Sequence, residues 1–143
     1  MSGELEIRPF ETGDDEAVLE LWRMCELVRP SNDPAKDIAR KRKVRGDLLL
    51  VGLSDGKIVA SAMIGYEGHR GWINYLAVSP RHRKRGVGRK MMEEAERRLR
   101  AEGCPKINLQ VRSSNSAAVA FYKAIGFLQD DVLSFGKRLE HDN

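Results

Sequence analysis

A chain of 143 residues is the length of one domain and too short to enclose two full hydrophobic cores. Hydrophobic residues make up 41% and charged residues 32%, which suits a core and excludes a disordered chain, and no run nears the ~20 apolar residues of a membrane span. The net charge of +4 is concentrated in 36–45 and 81–90, which together carry +11 and leave −7 elsewhere, a poor match to the evenly cationic face of a nucleic-acid module.

These numbers predict a single soluble domain over 1–143, cytoplasmic by default. Cys25 and Cys104 lie far apart with no C-x-x-C or histidine-rich context, so reduced thiols are expected, with no disulfide framework and no metal site. In chain order, 6–10 predicts a strand. Asp14-Asp15 then opens an amphipathic helix with Val18, Leu21, Trp22 and Cys25 near one face. A second helix, opened by Asp33-Pro34 and closed by Gly46, is expected to run to about Arg45. Residues 48–53 and 57–66 are β-type runs joined by Ser54-Asp55-Gly56, whose Asp-Gly pair favours a tight antiparallel hairpin. Residues 72–78 predict another strand, stopped by Ser79-Pro80.

Beyond a basic loop, Val87, Met91, Ala95 and Leu99 form one apolar stripe of a long helix, with Glu93-Arg97, Glu94-Arg98 and Glu96-Arg100 spaced for ion pairs. Ile107, Leu109 and Val111 alternate with polar residues in strand fashion. Ala118, Phe121, Tyr122 and Ile125 mark a short helix capped near Ser113 to Asn115 and ended by Gly126. The tail, 127–139, is expected to add one or two strands. The order is mixed α/β.

The stretch from Val78 to Gly88 joins a strand to a helix through a cationic turn bearing Gly86 and Gly88. Glycines there let the backbone approach a ligand while free N–H groups and the positive helix end face an anion, of which phosphate is the natural example. Neither the P-loop nor the dinucleotide pattern is present, and a solvated cationic turn is the plain alternative.

Arg83-Lys84-Arg85-Gly86-Val87-Gly88 resembles the Arg/Gln-x-x-Gly-x-Gly/Ala signature of the GNAT superfamily of acyl-CoA-dependent N-acetyltransferases. Asn115-x-x-Ala118-x-x-Phe121-Tyr122-x-x-x-Gly126-Phe127 is similar to that superfamily's later motif, at the expected distance downstream. Stretches 29–34 and 65–71 also look like the bacterial YpeA-type acetyltransferases, which names no substrate. The resemblance implies a mostly antiparallel mixed sheet of six to seven strands flanked by about four helices, with two central strands splayed to admit an acyl-CoA arm. It also implies that Leu76, Ala77 and Val78 bond the pantetheine, that the amides of Arg83, Lys84, Arg85, Gly86, Val87, Gly88 and Arg89 hold the pyrophosphate, and that Asn115, Ala118 and Tyr122 line the cofactor side. Asn115 equally suits a helix N-cap.

The implied chemistry is direct attack of a primary amine, on a small molecule or a protein, on the thioester of acetyl-CoA. Tyr122 is expected to protonate the leaving thiolate, a phenol of pKa about 10 being protonated at neutral pH; a core tyrosine is its plain alternative. Glu67 is the candidate base and His69 a weaker one, with Asn74 and Asn108 able to organise a water. A second copy of the chain is an expected partner, because dimers are common in that superfamily. A non-catalytic acyl-CoA sensor and, less favoured, a nucleic-acid binder are the competing readings.

Overall fold

The computed structural model describes residues 4–142. Its elements are β1 (Leu5–Pro9), α1 (Asp15–Met24), α2 (Pro34–Lys43), β2 (Leu49–Ser54), β3 (Lys57–Tyr66), β4 (Gly71–Val78), α3 (Val87–Ala101), β5 (Ile107–Leu109) and α4 (Ser116–Ala124), with short 3-10 turns at Gly46–Leu48 and Pro80–His82. The sheet runs β1-β2-β3-β4-β5. Its first four strands pair antiparallel, and β5 lies parallel to β4, as a crossover through a helix requires.

Both faces of the sheet are covered, and β2 shows why the sequence allows it. Leu49, Val51 and Leu53 point into one core with Val18, Leu21, Trp22 and Ile38 of α1 and α2, while Leu50 points into the other with Met91, Met92, Ala95 and Leu99 of α3. Alternation places successive side chains on opposite faces, so a strand apolar at both parities sits between two layers. The Asp55-Gly56 hairpin forms as expected, with φ of +53° and +79°, the signs a type I′ turn needs. In α2 the Asp33 carboxylate accepts the Lys36 N–H at 3.1 Å, and Ile38 is the helix's buried residue. Ile38→Ala should therefore cost about 2–5 kcal/mol and lower Tm by roughly 5–15 °C, checked by thermal unfolding.

Three expectations need correction. α2 ends at Lys43, and the left-handed residue beyond it is Arg45 (φ +57°) in place of Gly46; Arg45 is held there by Asp47 and Glu102. On α3, Arg97 and Arg98 both turn to Glu94, so of the three expected ion pairs only Glu94–Arg98 is seen among the described residues. The sheet has five strands in place of six or seven. β5 stops at Leu109, and the described tail forms no strand, leaving Leu128, Leu133, Phe135 and Leu139 more than four-fifths exposed. Apart from the Phe127 N–H, which bonds the Tyr122 carbonyl at 2.9 Å, its ties are side-chain ones: Asp130 to Lys106 and Asn108, Ser134 to Gln110, and Asp142 to Arg40.

Candidate active site

After Val78 the chain makes the Pro80–His82 turn and enters α3 at Gly86, the N-cap, in the left-handed region (φ +78°) and without a side-chain cap. The first N–H groups of α3 therefore lack a capping acceptor, no acid occupies the first turn, and both features favour an anion. No described residue lies within 4 Å of where a Cβ on Gly86 would stand, so the space at this N-cap is open. Gly88 differs. A Cβ there would meet the Phe121 ring at 3.2 Å, so this glycine serves the packing of α3 against α4, a purpose the sequence reading did not assign to it.

The two cationic windows separate once partners are counted. On α2 and just beyond it, Arg40 grips Asp142 through two hydrogen bonds of 2.7 and 3.0 Å. Arg45 bonds Asp47 and Glu102, and Arg42 lies over the Phe10 ring at 5.3 Å and donates to Thr12. In the loop, by contrast, Arg81, Arg83, Lys84, Arg85, Arg89 and Lys90 form no ion pair with the described residues. The first window is thus partly paired internally, through Lys36, Arg40 and Arg45, whereas the second has no internal counter-charge among the described residues. Arg83 also anchors the loop: its Nε donates to the Val78 carbonyl at 3.2 Å, where the Cys25 thiol also donates at 3.3 Å. That carbonyl is thus already occupied.

β4 and β5 pair only at Gly71↔Ile107, Trp72↔Asn108 and Ile73↔Leu109. From Asn74 to Val78, β4 has no strand partner on that side among the described residues, which is the splayed gap the resemblance implied. Leu76 and Val78 pack toward α3, and Ala77 toward α1. A cleft of about 1380 Å³ opens beside the gap and includes Asn74, Asn108, Gln110, Tyr122 and Phe127 in its lining. α4 sets Tyr122 there because the Asn115 side chain caps the helix, accepting the Ala118 N–H at 3.1 Å, and because Phe121 and Phe127 meet the Tyr122 ring edge-on at 5.1 and 5.7 Å. Burial alone pushes its phenol up to about 12, and its hydroxyl bonds none of the described residues.

The other candidates are placed apart. Glu67 lies in the β3–β4 loop, at the opposite end of β4 from Val78, and one of its carboxylate oxygens accepts the N–H groups of Arg70 and, at 2.6 Å, His69. Those backbone bonds hold its carboxyl below the usual range, and its other oxygen accepts nothing from the described residues. His69 is exposed, and Asn108 is bonded to Asp130 at 2.9 Å. The sequence reading missed Tyr75. It stands in the middle of β4 at φ +50°, stacked on Trp22 at 3.7 Å, with its hydroxyl bonded to Asp37 and Asn32. An aromatic residue in a strand carries no signal of a left-handed backbone, so sequence alone had no means of finding it.

Comparison with known proteins gives the same assignment from several directions. The family model described as Acetyltransferase (GNAT) family matches residues 15–127. An acetyltransferase of Sodalis glossinidius is 47% identical over 139 residues, spanning 96% of this chain and 98% of its own. Among solved structures, the ribosomal-protein-S18-alanine N-acetyltransferase from Escherichia coli superposes with a TM-score of 0.74 at 25% identity, covering 89% of this chain and 79% of its own. The aminoglycoside N-acetyltransferase AAC(6')-Iy in complex with CoA also gives 0.74, at 19% identity over 97% of both chains. The family model over most of the chain and a relative at 47% identity agree with the fold: this chain belongs to the GNAT family of acetyltransferases.

Proposed function

We propose that the chain transfers the acetyl group of acetyl-CoA to a primary amine by direct attack, without a covalent enzyme intermediate. One juxtaposition carries this reading: an anion loop with unpaired cations at the end of β4, and a gap between β4 and β5 beside which Tyr122 presents a protonated phenol. The amides from Arg83 to Arg89 hold the pyrophosphate, with Lys84 and Arg85 supplying charge. The strand backbone at Leu76 and Ala77 receives the pantetheine arm, a donor fixed on that strand steadies the developing oxyanion, and Asn115 and Ala118 border the arm from α4. Tyr122 gives its proton to the leaving thiolate. Glu67, at the other end of β4, takes the ammonium proton only through a chain of waters reaching its free oxygen and, held below the usual range, passes it on to solvent.

The test is to incubate the protein with acetyl-CoA and a panel of polyamines, amino acids, aminoglycosides and lysine or N-terminal peptides, following free thiol and acetylated amine together. Thiol release matched by amine acetylation supports the reading. Acetyl-CoA binding with no amine acetylated makes the chain a non-catalytic acyl-CoA sensor instead.

The pH profile follows from Tyr122. Its phenol is raised to about 12, so the fold favours the protonated form; that contribution to stability is full below about pH 10 and lost as the pH climbs through the folded value. Turnover should accordingly rise as the amine deprotonates and show no loss near pH 10, where an ordinary phenol would begin to ionise. A descending limb centred near 10 would contradict this.

A further inference from the structure

Tyr75 breaks a rule of strand geometry, and the surrounding residues hold it in that state. Ser61 pairs with Ala77 and Met63 with Asn74, so Tyr75 and Leu76 together stand opposite Ala62. This is a β-bulge, which re-aims the backbone and is over-represented next to active sites. A bulky residue at φ +50° persists only where its neighbours over-determine it, and here three neighbouring regions of the chain do so. From β3, the Ser61 hydroxyl donates to the Tyr75 carbonyl at 2.7 Å. From α1, Trp22 stacks on the ring within 12° of parallel and donates its indole N–H to Ser61 at 2.8 Å. From α2 and the segment before it, Asp37 accepts the Tyr75 hydroxyl at 2.6 Å, and Asn32 donates to that hydroxyl at 2.7 Å. Burial and the Asp37 carboxylate both raise the Tyr75 phenol, so it stays a donor to Asp37.

The bulge sits where β4 parts from β5, directly before Leu76 and Ala77. We propose that Asp37, acting through the Tyr75 hydroxyl, is a positioning residue that clamps this bulge and thereby fixes the strand backbone that polarises the acyl carbonyl. The proposal rests on the acetyl-CoA reading of the β4–β5 gap. It makes α2 part of the catalytic geometry.

The test reads the thioester carbonyl itself, and so needs no knowledge of the acceptor. Acetyl-CoA labelled with ¹³C at the carbonyl is bound to the full chain, and its stretching frequency is followed by isotope-edited infrared difference spectroscopy, with Kd measured in parallel. The wild-type protein should lower the frequency relative to free acetyl-CoA. Tyr75→Phe keeps the ring and loses the hydroxyl, and Asp37→Ala loses the acceptor; both should forfeit most of that shift with Kd within about twofold of wild type. Asp37→Asn, whose side-chain oxygen still accepts from Tyr75, should retain it. Should Tyr75→Phe not fold, the two Asp37 variants decide the matter. A wild-type frequency in Asp37→Ala, or a shift lost only in step with lost binding, overturns the positioning role while leaving the proposed function standing. Failure of the wild-type protein to bind acetyl-CoA overturns both.

Discussion

Replacing Tyr122 with phenylalanine is expected to lower kcat by roughly 10²–10⁴, the contribution of a positioned general acid, while acetyl-CoA affinity stays within about twofold. The substitution is clean because the ring keeps its edge contacts with Phe121 and Phe127 and the lost hydroxyl bonds none of the described residues. Fold stability should therefore move little, and the loss should appear in turnover alone. Steady-state kinetics with a responsive amine, beside calorimetric titration of acetyl-CoA, separates the two quantities. Unchanged turnover would falsify the acid role and return Tyr122 to ordinary core packing.

The second large effect is expected at the loop. Gly86→Val places a β-branched side chain at φ +78°, a conformation costing about 1–3 kcal/mol for such a residue. It also puts bulk into the open space at the N-cap of α3. Acetyl-CoA affinity should fall by more than about tenfold, with a smaller loss for Gly86→Asn, which tolerates the left-handed region. Gly88→Ala provides the contrast: its Cβ meets the Phe121 ring, so it should act first on stability. Titration of acetyl-CoA and thermal unfolding on the three variants tell the effects apart. Equal affinity losses for Gly88→Ala and Gly86→Val would contradict the separate purposes assigned to the two glycines.

Much of the layout was legible because it depends on local patterns. The α3 stripe, the Asp55-Gly56 hairpin, the Asn115 cap and the glycine at the start of α3 all announce themselves within a few residues. What escaped depends on contacts distant in sequence. The two cationic windows look alike as strings, and only the positions of Asp142, Asp47 and Glu102 show that one is partly paired internally. Glu67 looked free as a lone carboxylate, whereas the turn of the chain brings the His69 and Arg70 amides onto it. The tail was expected to add one or two strands, yet its anchors are single side chains instead of a backbone ladder. Tyr75 is the sharpest case: its backbone state is imposed by Ser61, Trp22, Asn32 and Asp37, and β-propensity alone predicts plain strand.

The most direct test of the acyl-CoA reading is thermal unfolding of the purified protein with saturating acetyl-CoA, set against ATP at equal concentration as a control for any phosphate ligand. Binding at about 100 times Kd adds about 2.7 kcal/mol, which for a domain of this size raises the midpoint by roughly 5–10 °C. A rise of that order with acetyl-CoA and little with ATP is the predicted result. Equal rises would reduce the loop to a general phosphate site, and no rise with either would contradict the assignment of the cleft.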